Sequence, residues 1–180
     1  VQYYKDVGFS IEPQGPKGEV PASLAIRPRA ERVEFISTIW VESGHRVYCL
    51  PKPVKTVTGS TISFAVTTDI HTAAYTKMTS DMDNCVHCPL LFEFFSMQAR
   101  FWSDKGGEFD TAALDPFKRE QLADRRIADI RKAHHRLLTE DGAAAAVRSA
   151  FEQETGISVD VQILMETAYK SADPAAIPDH

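Results

Sequence analysis

The segment Pro89–Trp102 constrains the fold more than any other part of this 180-residue chain. Pro89 has no amide hydrogen and a fixed φ, which suits the first position of a helix. From there Leu91, Phe94, Phe95, Phe101 and Trp102 recur at helical spacing, with Leu90 and Met97 beside them. Glu93, Ser96 and Arg100 form one narrow polar stripe at i, i+3 and i+7. A helix with so little polar surface is buried on most of its circumference. Whatever else the chain builds has to surround it.

Directly before this helix stand Cys85 and Cys88, two residues apart, with His87 between them. The N-terminus of a helix carries partial positive charge, which favours a thiolate over a thiol. Thiol chemistry at Cys85 and Cys88 is therefore one candidate. The segment Cys85–Phe95 resembles, locally, the active-site segment of thioredoxin-like disulfide oxidoreductases. That resemblance implies Cys85 as the attacking thiolate and Cys88 as the resolving thiol. The preceding Thr79-Ser80-Asp81-Met82-Asp83-Asn84 reads as a loop rather than the hydrophobic strand such a site needs.

Cys49, 36 residues upstream of Cys85, opens two further readings. Cys49, Cys85 and Cys88 with His87, His45 or His71 make up the soft and borderline donors that tetrahedral zinc takes. His45 and Cys49 lie four apart on a strand, about 13 Å if extended, so only one of them reaches a metal held by the Cys-x-x-Cys pair. The other reading is a disulfide from Cys49 to Cys85 or Cys88, tying a hairpin to the helix, which suits an oxidising compartment. In every version Cys85–Pro89 joins a β half to a helical half.

The β half precedes it. Val33–Val41 is rich in β-branched and aromatic residues, Glu42-Ser43-Gly44-His45 has turn composition, and Arg46–Leu50 is the return strand. Thr61–Thr67 alternates with period two and predicts another strand, and a short one is expected near Val7–Ile11. Pro13, Gly15, Pro16, Gly18 and Pro21 punctuate the rest of residues 1–30, which read as an irregular, extended arm. Residues 69–83 carry a partial helical face in Ile70, Ala73, Ala74 and Met78 among many Thr and Asp residues, and the pattern does not decide between helix and loop.

After Trp102, Gly106-Gly107 marks a loop, and Asp115-Pro116 is a helix start expected to run to about Leu138. A further helix spans Ala143–Thr155 with Gly156 just past its end. Ile157, Val159, Val161 and Ile163 alternate with polar residues and predict a late strand. Residues 170–180, with Pro174 and Pro178, read as an extended tail. The fold class expected is α+β in a single domain over 1–180: N-terminal antiparallel strands including a hairpin, then a mainly helical half with a late strand.

The helix after Asp115 is basic in an acidic chain of net charge −5. Arg125, Arg126, Arg131 and Lys132 are the candidates for an anionic partner, nucleic acid included, although intermixed Glu120, Asp124 and Asp129 favour an ordinary solvated face. Adjacent His134 and His135 point to different faces and do not share a metal. No apolar run is long enough to span a membrane, so a soluble chain is expected, cytoplasmic or extracytoplasmic after processing. No nucleophile elbow, phosphate loop, dinucleotide fingerprint or zinc-protease helix is present. The function expected is therefore non-catalytic: an accessory subunit that binds a protein partner, or its own copy, through apolar and aromatic surface and extended termini. Thiol–disulfide exchange at Cys85/Cys88 and a zinc-stabilised domain with a basic helix are the alternatives.

Overall fold

The computed structural model describes residues 33–35, 38–60, 69–114, 116–122, 126–139 and 142–173. All of them belong to the compact unit Val33–His180. The expected strands Val7–Ile11 and Thr61–Thr67, the arm before residue 30 and the tail after residue 173 lie outside the described residues.

A three-stranded antiparallel sheet opens the unit: β1 (Val33–Phe35), β2 (Thr38–Ser43) and β3 (Arg46–Pro51), in that spatial order. The long strand expected from Val33 to Val41 is thus two strands that pair with each other, Val33 opposite Trp40 and Phe35 opposite Thr38. The hairpin from β2 to β3 turns at Gly44-His45 and aligns Ile39 with Leu50 and Trp40 with Cys49. Ile39 and Leu50, directly opposite each other, are both 1% exposed and anchor the sheet to the helices.

Among the described residues seven α-helices follow: α1 (Pro53–Ser60), α2 (Ile70–Asn84), α3 (Pro89–Asp104), α4 (Pro116–Leu122), α5 (Ile127–Thr139), α6 (Ala143–Thr155) and α7 (Val159–Ser171). The α3 helix is the hydrophobic segment read from sequence, with Pro89 in its first turn. It packs most extensively on α2, then on α7 and α5, and Phe95 at its centre is fully enclosed. The architecture is a mixed α+β layout with a helical C-terminal half.

The ambiguous 69–83 segment is a full helix. Asp69 caps it, its carboxylate accepting from the amides of His71 at 3.0 Å and Thr72 at 3.2 Å. The buried face is written in small polar residues: Thr76, Thr79, Ser80 and Asp81. Thr76 uses its hydroxyl to fasten the loop after α3, accepting from the Asp110 amide at 2.9 Å. The loop approaches so closely that a Cβ on Gly107 would stand 2.5 Å from the His71 carbonyl oxygen.

Two further expectations differ from the structure. The helix from Pro116 is not continuous to Leu138 but breaks between α4 and α5. Its apolar residues Phe117, Leu122 and Ile127 are five apart, a spacing that walks around a helix instead of staying on one face. Burial resumes helical spacing only from Ile130 through His134 to Leu137. The second correction is the late strand at Ile157–Leu164, which is the start of α7. Gly156, at φ +74°, closes α6 in the left-handed conformation. Ser158 then caps α7, its hydroxyl accepting from the Val161 amide. Among the described residues no helix is long and apolar enough to cross a membrane.

Candidate functional site

Cys85 ends α2 and Cys88 caps α3, and the Cys88 amide donates to the Cys85 carbonyl at 2.8 Å. The two cysteines therefore frame the tight turn between the two most extensively packed helices. Their side chains are 0% and 1% exposed. Burial pushes the Cys85 thiol well above its ordinary range, reinforced by Cys88 and Asp81. Burial likewise pushes Cys88 up to about 12, against the weaker help of a backbone amide at the helix start. Desolvation thus outweighs the helix N-terminus, and both groups are neutral thiols near neutral pH. This reverses the electrostatic expectation for Cys85 and Cys88 and leaves neither as an accessible nucleophile.

Cys49 is half-buried on β3, and all three cysteines are free, so the disulfide expected from Cys49 to Cys85 or Cys88 is not formed. Among the described residues no three His, Cys, Asp or Glu side chains converge as a metal site. The donor set Cys49, Cys85, Cys88 and His87 is divided for a visible reason. The Cys49 amide donates to His87 Nδ1 at 3.4 Å, and the His87 ring stands edge-on to Tyr48, with centroids 5.3 Å apart. His87 is a clasp between β3 and the α2–α3 turn. His71 stacks on Trp102 instead, and His45 is exposed in the hairpin turn.

The same turn is held from the other side. His134, 4% exposed, places Nδ1 2.9 Å from the Val86 carbonyl and stacks on Phe92 with ring centroids 3.8 Å apart. Its neighbour His135 is exposed, so the two do point to different faces. Of the expected anion-binding residues, Arg126 precedes α5, Arg131 and Lys132 are exposed along it with Asp129, and Arg125 lies outside the described residues.

A concave feature that no sequence pattern marked lies among the helices. A cavity of about 920 Å³ opens between α1, α3, α6 and α7. Leu90, Leu91 and Phe94 of α3 form its floor, Met165 and Tyr169 of α7 one wall, and Val54 and Val57 of α1 the other. Phe151, at the end of α6, and Ile157 close one side.

On α7, Met165 and Tyr169 pack half-buried against the core, but its two fully buried residues are polar. They are Gln162, 1% exposed, and Glu166, 3% exposed. Gln162 Nε2 donates to the carbonyls of Ile157 at 2.8 Å and Arg148 at 3.0 Å. Glu166 takes two hydrogen bonds from Arg148 of α6, Nε at 3.1 Å and Nη2 at 2.6 Å. Arg100 of α3 donates to the Tyr169 and Lys170 carbonyls at 2.6 and 3.1 Å, which satisfies two of the carbonyls at the helix C-terminus. Outward on α7, Val161 is 45% and Leu164 69% exposed. Val161, Met165 and Tyr169 stack at four-residue spacing, and Leu164 and Ala168 form the adjacent row. The apolar wall of the cavity thus continues without a break onto the exposed face of α7.

Comparison with known protein families, with curated proteins and with solved structures gives no match to this chain.

Proposed function

We propose that this chain is a non-catalytic binding module of a larger assembly, and that the cavity between α1, α3, α6 and α7 receives an apolar-faced helix of a protein partner. The observation that carries this reading is the α7 helix: Gln162 and Glu166, with half-buried Met165 and Tyr169, fix it to the body, and its apolar arc continues outward through Val161 and Leu164 beside an apolar cavity. The cavity volume of about 920 Å³ stands near the upper end of small-molecule sites, about 300–1,000 Å³. A small ligand would leave the continuation through Val161 and Leu164 uncovered; a polypeptide would cover both.

The walls also favour a helix over an extended segment. They are built from helices, whose backbone groups are bonded internally, so they offer no sheet edge to an incoming strand. An extended peptide would bring unpaired N–H and C=O groups onto Leu90, Leu91 and Phe94, at a cost of about 1–3 kcal/mol for each one buried. A helix brings none, and presents apolar residues at i, i+3, i+4 and i+7. The neutral, enclosed thiols of Cys85 and Cys88 support a structural role for that turn.

Calorimetric titration with synthetic amphipathic helical peptides tests the reading. A peptide with leucines at i, i+3, i+4 and i+7 binds the full chain, and the same composition broken by a central proline binds at least tenfold more weakly. Equal binding of the two, or of neither, contradicts it.

A further inference from the structure

Glu93, at the edge of the buried α3 face, stands between two elements. Its Oε1 lies 3.5 Å from Lys170 Nζ on α7 and 3.7 Å from His134 Nε2 on α5. His134 Nε2 is buried and has no hydrogen-bond partner. The other ring nitrogen faces the Val86 carbonyl, which can only accept, so the hydrogen of the neutral ring sits on Nδ1 and Nε2 presents a lone pair. A carboxylate oxygen and a bare imidazole nitrogen are both acceptors and join only through a proton. Lys170 and a proton therefore compete for the same oxygen of Glu93.

We propose that Glu93 is a proton-controlled latch on the last turn of α7: ionised, it holds Lys170; protonated, it donates to His134 Nε2 and lets that turn loosen. No atom is lost or gained beyond the one proton, which moves from solvent to Oε1 past the half-exposed Lys170 side chain. Because Tyr169 lines the cavity one residue before Lys170, the latch regulates the wall of the proposed docking site. That regulatory consequence rests on the docking reading; the latch itself does not.

The surroundings are consistent with this exchange. From α3, Arg100 faces Glu93, but it is committed to the α7 carbonyls. From α7, Glu166 opposes ionisation of Glu93, and it is matched by Arg148 of α6. His87 of the α2–α3 turn, with Lys170 and Arg148, opposes a positive charge on His134. Burial is the largest influence on both members. It raises Glu93 above its ordinary value of 4.5 and lowers His134 to about 4. As pH falls, the carboxyl therefore takes its proton before the imidazole becomes a cation.

Nuclear magnetic resonance of the full chain tests the latch without any ligand. The readouts are the Glu93 carboxyl carbon, the His134 ring nitrogens, and amide exchange in Thr167–Ser171 corrected for the chemical rate. Expected is one step in which Glu93 titrates, His134 Nε2 shifts as an acceptor while the ring stays neutral, and protection of that turn falls roughly threefold or more. In Glu93→Gln and in Lys170→Ala the turn is weakly protected at every pH. Protection that does not change through the Glu93 titration, or a His134 ring that becomes cationic in the same step, overturns the proposal, and the wild-type titration alone decides it if a variant fails to fold. Helical peptides that do not bind leave this result standing, whereas a failed latch with bound peptide leaves docking independent of Glu93.

Discussion

The His134 ring nitrogen Nδ1 lies 2.9 Å from the Val86 carbonyl oxygen, which ties α5 to the turn that carries Cys85 and Cys88. This bond needs no charge on the imidazole, and burial lowers the His134 pKa from 6.5 to about 4. The unfolded chain therefore binds the proton first as pH falls. Stability from this group is present above about pH 6.5 and is lost as pH falls towards about 4, by up to about 3 kcal/mol. Glu93 acts with the opposite sign, since burial makes the folded carboxyl hold its proton at higher pH than the unfolded one. Denaturant unfolding at stepped pH checks both: His134→Phe flattens the acid loss, and Glu93→Gln steepens it.

Arg148 and Glu166 form a two-point ion pair with side chains 14% and 4% exposed. Removing one partner of a buried pair leaves an unmatched charge and costs about 3–5 kcal/mol, whereas an apolar replacement of both is near neutral. Glu166→Leu alone is expected to lower unfolding free energy by about 3 kcal/mol, and Arg148→Met with Glu166→Leu to recover most of it. A double-mutant cycle measured by urea unfolding shows whether the recovery occurs; simple additivity would mean the pair does not fix α7.

The three thiols are expected to separate by accessibility. Cys49 is half-buried, while Cys85 and Cys88 are enclosed and held as neutral thiols by burial. In native protein at about pH 8, a maleimide or disulfide reagent modifies Cys49 first, and Cys85 and Cys88 react only at the rate of unfolding. Mass-resolved labelling with time reads this directly, and fast native labelling of Cys85 would restore the redox reading.

Gly107→Ala probes the contact of the α3 loop with α2. The new Cβ would sit 2.5 Å from the His71 carbonyl oxygen and 2.8 Å from that of Trp102, both backbone atoms. Forcing them apart is expected to cost about 1–3 kcal/mol. Thermal unfolding is the check, and an unchanged midpoint would show that the loop yields freely.

The legible parts of this fold are those whose burial is written in apolar residues. The β2–β3 hairpin shows in its β-branched residues and in Gly44, and α3 shows in Pro89 and its aromatic spacing. The α2 helix does not show, because Thr76, Thr79, Ser80 and Asp81 line its buried face. In α7 the fully buried residues, Gln162 and Glu166, are polar and Val161 and Leu164 lie outside, so short-range alternation imitated a strand. The Cys85/Cys88 pair was visible as residues, but its chemistry depends on solvent exposure, which spacing does not carry. The Arg148–Glu166 pair spans 18 residues and two helices, and only the folded arrangement brings it together.

On the docking reading, the α3 floor and the apolar arc of α7 together receive a partner helix. Methyl-detected titration of the full chain with the leucine-patterned helical peptide tests it most directly. Expected are shifts at Leu91, Val161, Leu164 and Met165, unchanged Ile130 and Leu137 on the enclosed α5 face, and binding weakened at least tenfold by Met165→Lys. Shifts elsewhere on the protein, or full affinity in Met165→Lys, would contradict it.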